Sequence, residues 1–192
     1  MHTRAPPALS TRRISLVQHP QSQSPAGITN VEVHCDWHAD GISLHYRISP
    51  VAELRIPAPR PAVQVDGLWR HTCMEAFLAA RDSEGYHEYN FSPSGEWARY
   101  CFSAERVRDL ETEHLAQPWR PRIDSHTMGG RLHLSVRVPI SDFPISTEGW
   151  WLGVNSVLED RHGNLTYWAL THPCQAPDFH HPGGRIWRLP LE

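Results

Sequence analysis

The chain has 192 residues, 40% of them hydrophobic and 20% charged, and a formal net charge of −3. All 18 basic residues are arginine, which excludes chemistries that need a lysine: Schiff-base and pyridoxal enzymes, Walker-type phosphate loops and the protein-kinase signature. A near-neutral chain without a cationic run also argues against nucleic-acid binding, whose affinity comes mainly from phosphate neutralisation.

In chain order, the length predicts a single domain over residues 1–192, with residues 1–11 a flexible N-terminal segment. Arg12 to Val17 reads as a terminal strand. Val31 to His38 alternates, with Val33, Cys35 and Trp37 on one face and His34 and Asp36 on the other. Asp40-Gly41 signals a two-residue hairpin, after which Ile42 to Ile48 alternates again. That turn pairs Trp37 with Leu44, Asp36 with His45 and His34 with Arg47. The proline-rich stretches Pro50–Pro61 and Pro118–Pro121 read as loops.

Leu68 to Ala79, Tyr86 to Ser92 and Glu96 to Phe102 form a predicted three-strand meander. Only Ser103 to Ala116 is a helix candidate, with Ser103 as its cap. Arg131 to Ile140 alternates with Leu132, Leu134, Val136 and Val138 inward. Trp150–Glu159 and Leu165–Thr171 make a last hairpin, and Ile186–Leu189 a terminal strand. Many short strands with regular turns predict an all-β, antiparallel β-sandwich of jelly-roll or immunoglobulin-like type.

The cysteines Cys35, Cys73, Cys101 and Cys174 are irregularly spaced, as expected of reduced, mostly buried thiols. No apolar run has the length of a membrane span or a signal h-region, so the expectation is a soluble, cytoplasmic protein without a membrane partner.

Two surfaces could carry chemistry. In the meander, the Asp82-Ser83 turn sets Met74 against Phe91, Ala76 against Tyr89 and Glu75 against Asn90. A turn at Pro93-Ser94 then sets Asn90 against Trp97 and Glu88 against Arg99. One sheet face would carry Trp69, His71, Glu75, Glu88, Asn90, Trp97 and Arg99. Amides and charges read hydroxyls while indoles stack on C–H faces, so this mixture suits a small polar ring such as a sugar. In the last hairpin, a turn at His162-Gly163 puts Trp151, Gly153, Asn155, Val157 and Trp168 on a second such face.

The stretch Gly67-Leu68-Trp69-Arg70-His71-Thr72-Cys73-Met74-Glu75-Ala76-Phe77-Leu78 resembles the tryptophan-then-glutamate strand of DOMON-like proteins and of family-nine carbohydrate-binding modules. Tyr86 to Trp97, and Tyr167-Trp168-Ala169-Leu170 followed by Pro177-Asp178-Phe179-His180-His181, are similar to the same proteins. The resemblance implies a DOMON-like sandwich that holds a ring between two tryptophans, Trp69 and Trp168. Glu75, Asn90 or Arg99, and Asn155 or Asn164, would bond its hydroxyls. Only Trp69 and Glu75 fall on the motif spacing. The implied role is non-catalytic recognition of a small, plausibly carbohydrate, ligand, with no cofactor.

Other readings compete. His34-Cys35-Asp36 is an H-x-D triplet of the kind that holds iron in jelly-roll oxygenases. Some DOMON relatives bind haem through a methionine and a histidine, for which Met74 or Met128 would serve. Glu75 and Glu88 are also the pair a glycoside-acting enzyme would use.

Overall fold

A computed structural model describes residues 8–22, 27–116 and 119–190. In chain order the strands are β1 Ser10–Ser15, β2 Val17–Gln18, β3 Asn30–His38, β4 Gly41–Ser49, β5 Cys73–Ala80, β6 Tyr86–Phe91 and β7 Trp97–Ala104. They continue with β8 Val107–Arg108, β9 Asp124–Met128, β10 Arg131–Pro139, β11 Trp150–Glu159, β12 Leu165–Ala169 and β13 Trp187–Leu189. One short helix, α1, spans Leu110–Leu115.

The strands form two antiparallel sheets stacked as a β-sandwich. The first has the order β1-β3-β4-β10-β9, and the second β2-β12-β11-β5-β6-β7-β8, with β13 on β11. The first sheet alternates as the sequence predicts: Val31, Val33, Cys35 and Trp37 are buried toward the second sheet, and so are Leu132, Leu134, Val136 and Val138. The second sheet is covered on both sides, which is why β5 reads as a continuous apolar run. Met74, Ala76 and Leu78 enter the core between the sheets. Phe77 and Ala79 instead join Tyr86, Ala98, Tyr100 and Phe102 in a separate cluster on the outer face.

Several boundaries and registers differ from the sequence expectations. β1 begins at Ser10, so Ser10 and Thr11 are already paired with Trp37 and Asp36 and do not belong to a free segment. Residues 1–7 of that segment, and part of the Pro118–Pro121 loop, lie outside the described residues. In the first hairpin Trp37 pairs with Ile42, Cys35 with Leu44 and His34 with His45, a slip of two residues. The turn residues are Ala39-Asp40. Gly41 is spent on packing, since a Cβ there would lie 2.3 Å from the Val138 carbonyl. A slip of two keeps every side chain on its face, and Asp36 still reaches His45 diagonally at 3.5 Å.

The helix is shorter than expected and is capped by Asp109, whose carboxylate accepts from the Thr112 N–H at 2.9 Å. Ser103 instead lies in β7. Trp69 is not in a strand: Leu68–Arg70 is a single 3-10 turn, and β5 starts only at Cys73.

Candidate functional site

The first meander register is the predicted one: Glu75 faces Asn90, Met74 faces Phe91 and Ala76 faces Tyr89. The four-residue loop Arg81–Glu84 is symmetric about Asp82-Ser83, so its centre fixes the pairing. The second register is shifted by one. Asn90 faces Ala98, Glu88 faces Tyr100 and Phe91 faces Trp97, because the loop is the three residues Pro93-Ser94-Gly95, with Gly95 at φ 95°. The last hairpin is shifted in the same way. Ser156 faces Trp168 and Val157 faces Tyr167, around the three-residue loop Arg161-His162-Gly163 with Gly163 at φ 86°. Both glycines take the left-handed conformation that closes a three-residue hairpin loop.

A shift of one turns every side chain of the affected strand to the other face. Arg99 is therefore not beside Glu88. It points into the sandwich, where its guanidinium is bonded to the buried carboxylate of Asp142. Trp97 likewise packs in the inter-sheet core. Trp168 is 4% exposed on the core side and donates its indole N–H to Thr166 Oγ1 at 3.0 Å, so it cannot stack a ring against Trp69. Tyr167 takes its place on the outer face.

What the second sheet does bring together is a concavity of about 660 Å³ on its outer face. Its floor holds Glu75 from β5, Glu88 from β6 and Tyr100 from β7; Val157 of β11 and Tyr167 of β12 form one side. Trp69, on its turn, stands at the mouth with 46% of its surface exposed and the Arg70 guanidinium over its ring. Asn155 lies beside Glu75 in register, and its side chain shares that face. His71, expected on this face, turns away to Glu159 at 2.8 Å. Asn164 closes the last hairpin loop by bonding Asp160.

The far wall had no periodic signal in the sequence. The segment after β12 folds back across the outer face and puts Pro177, Phe179 and His180 into the concavity. The Arg106–Asp178 ion pair at 2.8 Å and the Arg185 donation to the His180 carbonyl at 2.9 Å hold it there. The His180 ring packs edge-on against Phe77 and Phe102. His181 points elsewhere and accepts from the Gly183 N–H.

The two carboxyl groups are buried, Glu75 at 2% and Glu88 at 5% exposure. Asn90 Nδ2 donates to Glu88 Oε1 at 2.6 Å, leaving Oε2 toward His180 Nε2 at 3.7 Å. Glu75 Oε1 has no hydrogen-bond partner. Burial, and then the charge of Glu88, hold the Glu75 carboxyl well above the usual carboxylate range. Burial pushes Glu88 up to about 7 despite the bond from Asn90, and pushes His180 down to about 4. Two buried acids that act on one another cannot both ionise easily, so near neutrality this pair retains a proton and offers both donor and acceptor oxygens.

The residues of the iron and haem readings lie apart from the concavity, whereas Glu75 and Glu88, the pair of the glycoside-acting reading, lie within it. His34 and Asp36 are on the outer face of the first sheet, where Asp36 accepts from Thr11 Oγ1 at 2.6 Å. Met74 is fully buried in the core, and Met128 is exposed on the edge strand β9. Among the described residues Cys35, Cys73 and Cys101 are buried free thiols and Cys174 is partly exposed. No described helix is long and apolar enough to cross a membrane.

The chain matches no protein-family model and no curated protein. It does match solved structures. A candidate carbohydrate-binding protein from Bacteroides uniformis superposes with a TM-score of 0.64 at 17% identity, over 91% of this chain and 84% of that one. A family 9 carbohydrate-binding module from Caldicellulosiruptor kristjanssonii, in complex with cellotriose, gives 0.50 at 10% identity, over 81% and 71%. The sandwich is family 9-like. At these identities the likeness is one of fold, and function has to be argued from the site.

Proposed function

We propose that this protein is a non-catalytic binding protein that holds a small saccharide in the outer concavity of its second sheet. One observation carries the reading: a half-exposed indole, Trp69, lines the same concavity as two buried carboxyl groups, one of which has an oxygen left unpaired. The indole offers a flat apolar surface for the C–H face of a ring, and Glu75 and Glu88 offer fixed partners for its hydroxyls. Tyr100 and Tyr167 would add further hydroxyl contacts. Asn90 orients Glu88, and Asn155 flanks Glu75.

An unpaired buried oxygen is costly, on the order of 1–3 kcal/mol, and a ligand hydroxyl reaching it would recover that cost on binding. The fold likeness to a cellotriose-bound module supports the reading without assigning the residues. A thermal-shift screen against mono-, di- and trisaccharides tests it. A specific sugar should raise the melting temperature of the wild type by mass action and leave Trp69→Ala unmoved. If no sugar stabilises the wild type, the reading fails.

A further inference from the structure

Resting on the saccharide reading, we propose that the ligand of this concavity carries a cationic amine, which makes an amino sugar its substrate class. Glu88 receives the Asn90 amide on one oxygen and faces a neutral imidazole, His180, with the other. Glu75 lines the concavity, and its Oε1 is buried and receives nothing.

Arg70, Arg106 and Arg108 also line the concavity, and Arg108 and Arg106 favour the charge of Glu88 from a distance, but among the described residues no arginine forms an ion pair with either acid. Arg106 is committed to Asp178, and Arg108 makes two 2.6 Å bonds to Glu113. Arg70 lies over the Trp69 ring, and Arg185 lies over the Tyr86 ring and donates to the His180 carbonyl. The other groups around the acids add no positive charge: the Cys73 thiol on β5, the Tyr100 phenol on β7, Tyr167 on β12 and Asp66 beside the turn. Tyr46, reaching across the core, donates to the main-chain carbonyl of Glu75 at 2.7 Å and leaves its carboxyl alone.

Buried carboxyl groups without a cation either hold protons or await a cation from outside. An ammonium carries three N–H donors, enough to meet Glu75 Oε1 and Glu88 Oε2 together. A neutral hydroxyl has one donor and meets only one of them. The rings of Trp69, Tyr100, Tyr167 and Phe179 surround the same space, and aromatic faces stabilise a cation through their quadrupoles. In the free protein the acids keep their proton; in the complex the ligand's ammonium replaces it, and the proton leaves to solvent.

The test is calorimetric titration with glucose, glucosamine and N-acetylglucosamine, near neutral pH, in two buffers of different ionisation enthalpy. Glucosamine should bind at least about tenfold more tightly than glucose, as expected for a hydrogen bond that gains full charge. Its binding should release protons, read as a buffer-dependent enthalpy. N-acetylglucosamine, the same ring without the charge, should show neither effect. In Glu75→Gln and Glu88→Gln the glucosamine-to-glucose affinity ratio should fall toward one and the proton release should shrink. If the sugars bind without amine preference or proton release, the amine inference is overturned while the saccharide reading stands. If no sugar binds at all, the saccharide reading falls, and this inference with it.

Discussion

Tyr86 and His180, ninety-four residues apart in sequence, share a 2.7 Å hydrogen bond at the edge of the concavity. The Tyr86 hydroxyl accepts from the Arg106 N–H at 3.1 Å, which leaves its own proton available to His180 Nδ1. With that donation the neutral imidazole carries its proton on Nε2, the atom turned toward Glu88. One phenol thus fastens the C-terminal segment to the sheet and sets which atom it shows to the acids.

Removing that phenol should be felt in both roles. Tyr86 is fully buried, so Tyr86→Phe strands two polar partners and should cost about 1–3 kcal/mol in chemical denaturation. The His180 ring signals in NMR should also lose their single tautomeric state. Unchanged stability and an unchanged tautomer would contradict this account of the segment.

The two tryptophans expected to act together should separate cleanly. Trp168→Ala removes a core indole and should destabilise by about 3–5 kcal/mol. Trp69→Ala touches an exposed turn and should stay within about 1 kcal/mol of wild type while losing most saccharide affinity. Paired denaturation and binding measurements on the two variants check this directly.

Arg99 and Asp142 form a buried ion pair on the inner side of the second sheet. Arg99→Ala leaves an uncompensated buried carboxylate and should cost about 3–5 kcal/mol. Because the pair is on the opposite face from the concavity, whatever fraction folds should bind saccharide with wild-type affinity. A large affinity loss in folded protein would return Arg99 to the site.

Stability should depend on pH through the same acids. Glu88, raised to about 7, contributes stability that is present below the ordinary carboxylate range and lost as pH rises through about 7. Glu75, raised by burial and by Glu88, extends that loss upward. His180, lowered to about 4, has the opposite sign: its contribution is present above an ordinary imidazole pKa of about 6.5 and is lost as pH falls toward 4. The two trends oppose one another below about 6.5. Above it the acids act alone, so the melting temperature should fall with rising pH. Glu88→Gln should flatten that fall; an equally steep fall in the variant would refute the assignment.

Much of the fold was legible because alternation names faces even where the register is wrong. The first hairpin slipped by two residues and kept its faces. The second meander turn and the last hairpin slipped by one, which exchanged Arg99 for Tyr100 and Trp168 for Tyr167. The deciding signal was the third loop position, Gly95 and Gly163, which lengthens each loop from two residues to three. Trp69 and Glu75 reach one concavity even though the turn at Leu68–Arg70 breaks the expected strand. His180 and Phe179 were not legible as site residues, because an irregular segment crossing a sheet has no period to read.

The most direct test of the account follows the indole N–H signals of the eight tryptophans by NMR during titration with a saccharide found in the thermal screen. The Trp69 indole should move with ligand concentration, while the buried indoles of Trp97, Trp150 and Trp168 stay in place. A saturating sugar that leaves the Trp69 signal unmoved would contradict it.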